Sequence, residues 1–220
     1  MIVLGIDCTT KSTNVGVAKD GIIIGEQNME LGRKQAAELP LMVERLLADC
    51  TLKLSDIELI AAAKGPGYYT GIRTGVAYCA ALAEALGLKI VPVSTMEAFV
   101  YDLRKEHTLM APILKARYDS IYTAIYRSDG KQLTALRAPS FVAASHFAEM
   151  MEQHPKCTIV GSDRNLYPQI MLLANKHIER QSSSGGQTAL LGETQSQSAI
   201  LPYEIKGEYL REPDIGPSKQ

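Results

Sequence analysis

Apolar positions in the first half of the chain fall into short runs divided by polar turns, and their spacing alternates between strand-like and helix-like. Ile2–Asp7 is an aliphatic run that ends in the polar turn Asp7-Cys8-Thr9-Thr10-Lys11-Ser12. Thr13–Ala18 alternates, with Val15 and Val17 on one face, and Asp20-Gly21 leads into Ile22–Gln27. An Asp-Gly pair between two such runs predicts a hairpin, so three consecutive strands open the protein. Over Gln35–Ala48, Leu39, Met42, Val43, Leu46 and Leu47 recur at helical spacing. Pro40 is read as near enough to the helix start for its missing amide to be tolerated. Ile57–Ala63 predicts a buried strand, Gly71–Leu86 a helix closed by Gly87, Lys89–Val93 a strand and Thr95–Leu103 a helix.

The order then repeats more weakly. Leu109–Leu114, Ile121–Tyr126 and Leu133–Ala138 predict strands, with Ser128-Asp129-Gly130 turning the chain between the last two. Ala143–Glu152 predicts a helix, Cys157–Val160 a strand and Leu166–Ala174 a helix. Gln181–Ala199, rich in Ser, Gln, Gly and Thr, reads as a polar loop, and Tyr203–Leu210 as a segment docked on the body before a loose tail. A duplicated β-β-β-α-β-α order predicts an α/β, two-lobed fold of the actin-like ATPase (ribonuclease H-like) type, with lobes at 1–104 and 105–220. That fold does not by itself specify a function.

Composition narrows the function classes. A length of 220 residues, 46% of them hydrophobic, is ample for two compact lobes. With 23 basic and 24 acidic residues the formal charge is -1, which argues against a self-sufficient nucleic-acid binder but leaves room for RNA contact shared across a complex. The N-terminus has no basic flank and its apolar run is too short for a signal peptide or membrane span, so a cytoplasmic protein is expected. Cys8, Cys50, Cys79 and Cys157 form no Cys-x-x-Cys pair, and His107, His146, His154 and His177 lack helical ligand spacing; neither a disulfide framework nor a metal site is expected.

Three segments carry candidate chemistry. Asp7, Thr9 and Thr10 sit where actin-like ATPases bring an acid and hydroxyls to phosphates, although a polar turn held by its own side chains explains the same residues. The matching second-lobe turn, Lys115–Ser120, lacks the Asp-x-Gly-x-Thr pattern, so the turn is read as vestigial and no catalytic residue is expected. The glycine-rich turn with Gly65, Gly67, Thr70 and Arg73 either presents amides to an anion or is a tight turn with Thr70 as the helix cap. It is not a Walker A loop, having no Gly-Lys-Ser/Thr ending. The following helix is apolar around most of its girth, which suits either an interior helix or one that also packs on another subunit.

Taken together, Leu4-Gly5-Ile6-Asp7-Cys8-Thr9-Thr10, the Leu39-Pro40 helix, Gly65-Pro66-Gly67-Tyr68-Tyr69-Thr70-Gly71-Ile72-Arg73-Thr74-Gly75-Val76, Val93-Ser94-Thr95-Met96-Glu97-Ala98, Ala116-Arg117 with Tyr122, and Gly207-Glu208-Tyr209-Leu210-Arg211 resemble the TsaB (YeaZ) family. The resemblance runs from Met1 to about Arg127. It implies a non-catalytic scaffold subunit of the bacterial machinery that transfers threonylcarbamoyl to N6 of adenosine 37 in tRNAs reading codons that begin with A. It further implies assembly with a TsaD-like catalytic subunit, joint action with a TsaE-like ATPase, ATP used by the complex and not bound by this chain alone, and tRNA met only through the complex; the apolar helix, for its part, leads to the expectation of a homodimer when the chain is alone. The helices matching Gln35–Ala48 and Gly71–Leu86 would then supply the contact, through Leu39, Met42, Val43, Leu46, Ile72, Val76, Tyr78 and Ala81. The chain departs from the family at Tyr68 and Tyr69, where Ser and Phe are usual, at Lys34, where His is frequent, and at Lys115, where an acid is common. The alternative is an enzyme of the same superfamily, a small-molecule kinase or a glycoprotease-like hydrolase, which needs a metal pair or a complete phosphate clamp.

Overall fold

A computed structural model describes residues 1–211. Strands β1 (Ile2–Asp7), β2 (Thr13–Lys19) and β3 (Ile22–Met29) form an antiparallel meander. Asp20 and Gly21 both take positive φ, 49° and 80°, the conformation that a two-residue turn needs to match the strand twist. Helix α1 (Gln35–Asp49), strand β4 (Leu59–Gly65), helix α2 (Tyr69–Leu86), strand β5 (Ile90–Ser94) and the short helix α3 (Thr95–Ala98) follow. The first sheet runs β3-β2-β1-β4-β5, with β4 parallel to both β1 and β5.

The helix over Gln35–Ala48 is present, but Pro40 lies inside it and not in its first turn. The bond lost is that to the Ala36 carbonyl, and Ala36 is exposed, so water can take its place. Gly87 closes α2 in the left-handed conformation, with φ at 65°. The helix expected over Thr95–Leu103 is divided into α3 and a 3-10 turn at Tyr101–Lys105.

The second lobe holds β6 (Leu109–Lys115), β7 (Ser120–Ser128), β8 (Leu133–Ala143), α4 (Ala144–Glu152), β9 (Thr158–Val160), α5 (Pro168–Met171) and β10 (His177–Ile178), with strand order β10-β9-β6-β7-β8. Where one helix is expected over Leu166–Ala174, a 3-10 turn at Asp163–Leu166 precedes a single turn, α5, which begins on Pro168. Ala111, Ile113, Ile121 and Ile125 turn towards Phe147, Met151 and Ile170. The opposite face, with Met110, Tyr122, Ala124 and Tyr126, packs on Met96, Phe99 and Val100 just beyond β5, which joins the lobes.

The largest departure from expectation is Gln181–Ala199. Gly185–Thr194 is a helix, α6, capped by Ser184, whose side chain accepts from the Gln187 amide. It lies across β1, β2, β3 and β4, so residues expected in the second lobe complete the first. Leu4, Ile6, Val15 and Val17 face α1 and α2, while Val3, Ala18 and Ala61 on alternate positions face Ala189 and Leu191 of α6. Small residues at Gly5, Gly16 and Ala61 admit this helix at backbone distance, and larger ones would not. The segment at Tyr203–Leu210 is docked through Glu208, whose amide donates to the Lys64 carbonyl at 2.7 Å and whose carboxylate is 3.4 Å from the Lys64 ammonium. Tyr203 itself stays largely exposed. The loose tail expected after Leu210 falls outside the described residues from 212 onward. Among the described residues no helix is long and apolar enough to cross a membrane.

Candidate functional site

A cleft of about 160 Å³ opens between the lobes. Thr9, Thr10, Lys11 and Ser12 of the β1–β2 turn, Gly67 and Tyr68 of the β4–α2 turn, and Leu114, Lys115, Ser162 and Asp163 of the second lobe line it. The turns meet because β1 and β4 are parallel neighbours and release the chain at the same sheet edge. The Tyr68 amide donates to the Thr9 carbonyl at 2.7 Å, and a Cβ at Gly67 would collide with that same carbonyl. Across the cleft the Lys115 amide donates to Asp163 at 2.7 Å.

Asp7 is fully buried. Its Oδ1 accepts from the Thr9 amide at 2.7 Å and from the Thr9 hydroxyl at 2.6 Å, and its Oδ2 accepts from the Ser183 hydroxyl. Thr95 donates to the Thr9 hydroxyl at 2.9 Å and extends the network. Burial raises the Asp7 pKa above the ordinary carboxylate range, although the Ser183 and Thr9 hydrogen bonds oppose the shift. Thr10 is also buried but reaches the cleft wall, so the structure brings Thr9 and Thr10 to the cavity and seals Asp7 behind them. Nothing in the sequence near Asp7 announces Ser183, because it comes from the segment before α6.

The glycine-rich turn differs from one expectation. Helix α2 begins at Tyr69 with Tyr68 at the cap position and no side-chain capping bond, so Thr70 lies within the first turn, exposed, and does not cap it. Gly65 has φ of 117° and the Gly65–Pro66 peptide is cis. Arg73 is exposed, its guanidinium 5.4 Å from the Tyr69 ring centroid.

Most residues expected at a subunit contact turn inward instead. Leu39, Met42, Val43, Leu46 and Ile72 are each at most 1% exposed. The α1 residues among them are spent on the chain's own sheet, since the apolar stripe that predicts the helix is the stripe that the sheet covers. Val76 and Tyr78 are half-buried, and only Ala81 of the set is exposed, on the outer side of α2 with Arg73, Ala77, Glu84 and Ala85. Among the described residues no group of three or more His, Cys, Asp or Glu side chains could hold a metal ion.

The profile of the family described as "TsaD: tRNA N6-adenosine threonylcarbamoyltransferase" matches residues 29–213. The "tRNA threonylcarbamoyladenosine biosynthesis protein TsaB" of Bacillus subtilis is 28% identical over 172 residues, 78% of this chain and 75% of that protein. The protein of the same name from Escherichia coli is 28% identical over 151 residues, 64% of each chain. The solved YeaZ structure of Pseudomonas aeruginosa superposes with a TM-score of 0.81 at 19% identity, covering 95% of this chain and 99% of that one. A ROK hexokinase from Thermus thermophilus shares the two-lobed fold at a TM-score of 0.54 and 11% identity, over 90% of this chain and 100% of that one. By its matched profile this chain belongs to the family described as TsaD, tRNA N6-adenosine threonylcarbamoyltransferase, and proteins named TsaB are among its relatives.

Proposed function

We propose that this protein is a non-catalytic subunit in the biosynthesis of threonylcarbamoyladenosine in tRNA, supporting a TsaD-like transferase and working alongside a TsaE-like ATPase. The observation that carries this reading is the state of Asp7. In a nucleotide site this carboxylate would face the phosphates and their cation, whereas here Thr9 and Ser183 use it as an internal hydrogen-bond acceptor, fully out of water. The second half of a phosphate clamp is replaced by the Lys115–Ser120 turn. Family membership supports the pathway, and the outer face of α2, where Ala77, Ala81 and Ala85 are exposed, supports close approach of a partner helix.

Reconstituted threonylcarbamoyl transfer to an unmodified tRNA tests the reading. Transfer should require a TsaD-like subunit, rise on addition of this chain, and survive Asp7→Ala in this chain whenever the variant folds. The chain alone should not turn over ATP. Transfer by this chain in isolation, lost in Asp7→Ala, would favour the superfamily-enzyme reading instead.

A further inference from the structure

The interlobe cleft is bounded by side chains of both charges that do not pair with one another. Lys11 and Glu30 reach it from the first lobe, and Lys115 and Asp163 from the second. Among the described residues no ion pair joins any two of these four. Asp163 Oδ2 accepts from the Lys115 amide at 2.7 Å, and its Oδ1 has no donor among the described residues. Thr10, 6% exposed, lines the same wall. Its hydroxyl donates to the Ser12 carbonyl at 3.3 Å and accepts from no described residue, so a buried acceptor is left at the cavity. Burial, and after it the charges of Asp163 and Glu30, raise the pKa of the Tyr68 phenol, which places both carboxylates within electrostatic reach of that hydroxyl.

We infer that this cleft binds a small zwitterion, an α-amino acid, with its ammonium among Glu30, Asp163 and the Thr10 hydroxyl oxygen and its carboxylate between Lys11 and Lys115. A phosphate would meet the two carboxylates at the same wall, and a bare cation would meet the two lysines. A ligand that carries both charges engages all four. The cavity of about 160 Å³ is well below the roughly 300 Å³ at which clefts begin to take drug-sized ligands, which rules out a nucleotide and suits a molecule of amino-acid size. Ser12, Ser162 and Gln181 on the lining offer hydroxyl and amide partners, so a short polar side chain is favoured over an apolar one. Direct pairing of the four charges would need no ligand, but an exposed ion pair is worth little and does not outcompete a ligand that bridges them. The site is separate from the outer face of α2 and does not depend on the scaffold reading.

Amide NMR titration of the whole chain tests this with glycine, L-serine and L-threonine, and with acetate and ethylamine as single-charge probes. The amides of Thr10, Gly67 and Lys115 should shift saturably with the amino acids, at a Kd of about 1 mM or tighter, and acetate and ethylamine should each bind about ten-fold more weakly. Lys11→Gln and Glu30→Gln, both at exposed positions, should keep the fold and each weaken amino-acid binding about five-fold, as for loss of one partly screened charge pair. Absence of a saturable shift with all three amino acids overturns the inference. So does acetate binding as tightly as the amino acids, which would make the cleft an anion site, or ethylamine doing so, which would make it a cation site. Unchanged affinity in both glutamine variants overturns it as well, since the charges would then play no part.

Discussion

Gly16 in the middle of β2 faces Gly186 in the first turn of α6 so closely that a Cβ on Gly16 would land inside the Gly186 backbone. The helix can seat on this sheet only because Gly16 lacks a side chain and because Gly185, whose own Cβ would strike the Val15 and Gly16 backbone, lacks one too. Gly16→Ala should therefore cost about 3 kcal/mol, the upper range for overpacking, since the obstacle is backbone that cannot rotate away. Urea unfolding followed by circular dichroism measures this. A variant as stable as the parent would mean that α6 is not packed on the first sheet.

The Asp7 carboxyl should make stability fall as pH rises. Its pKa in the folded protein is raised, chiefly by burial, so its contribution is fully present below the unfolded-state value and is lost as pH climbs through the folded-state value. Asp7→Asn keeps an oxygen for the Thr9 donors and removes the buried charge. It should raise the melting midpoint at pH 8 and change little at pH 4. Equal shifts at both pH values would show that shape and not charge is responsible.

Leu46 and Ala81 separate folding from association. Leu46 is 1% exposed within the α1–sheet core, so Leu46→Ala should cost about 2–5 kcal/mol through the cavity it leaves. Its effect on subunit binding should vanish once the unfolded fraction is taken into account. Differential scanning calorimetry with a pull-down on the folded fraction checks both parts.

Ala81 is exposed, so Ala81→Arg should leave the melting midpoint nearly unchanged. A helix partner seated there would be forced away by the longer side chain, and an uncompensated charge would have to lose its water. Self-association and binding to a TsaD-like subunit should therefore weaken at least ten-fold, read by light scattering on a sizing column. Normal assembly of a folded Ala81→Arg protein would remove the outer face of α2 from the contact.

Short-range pattern was enough to locate nearly every strand and helices α1 and α2. Val15 and Val17 alternate because one face of β2 meets a core, Leu39 to Leu47 recur at helical spacing because one stripe of α1 meets the same core, and Asp20-Gly21 has the left-handed freedom that a tight hairpin needs. The family motifs were also legible, since Leu4–Thr10 and Gly65–Val76 are continuous stretches. What the sequence could not decide is which surfaces each element spends on its own fold. The stripe of Leu39, Met42, Val43 and Leu46 reads alike whether a sheet or a partner covers it, and tertiary packing assigns it to the sheet. Helix α6 was hidden because its packing comes from absent side chains: Gly185, Gly186 and Gly192 make no apolar stripe, and the complementary signal, small residues at Gly5, Gly16 and Ala61, is scattered over three strands. The Asp7–Ser183 bond joins residues 176 positions apart, and only the return of the chain to the first lobe makes them neighbours.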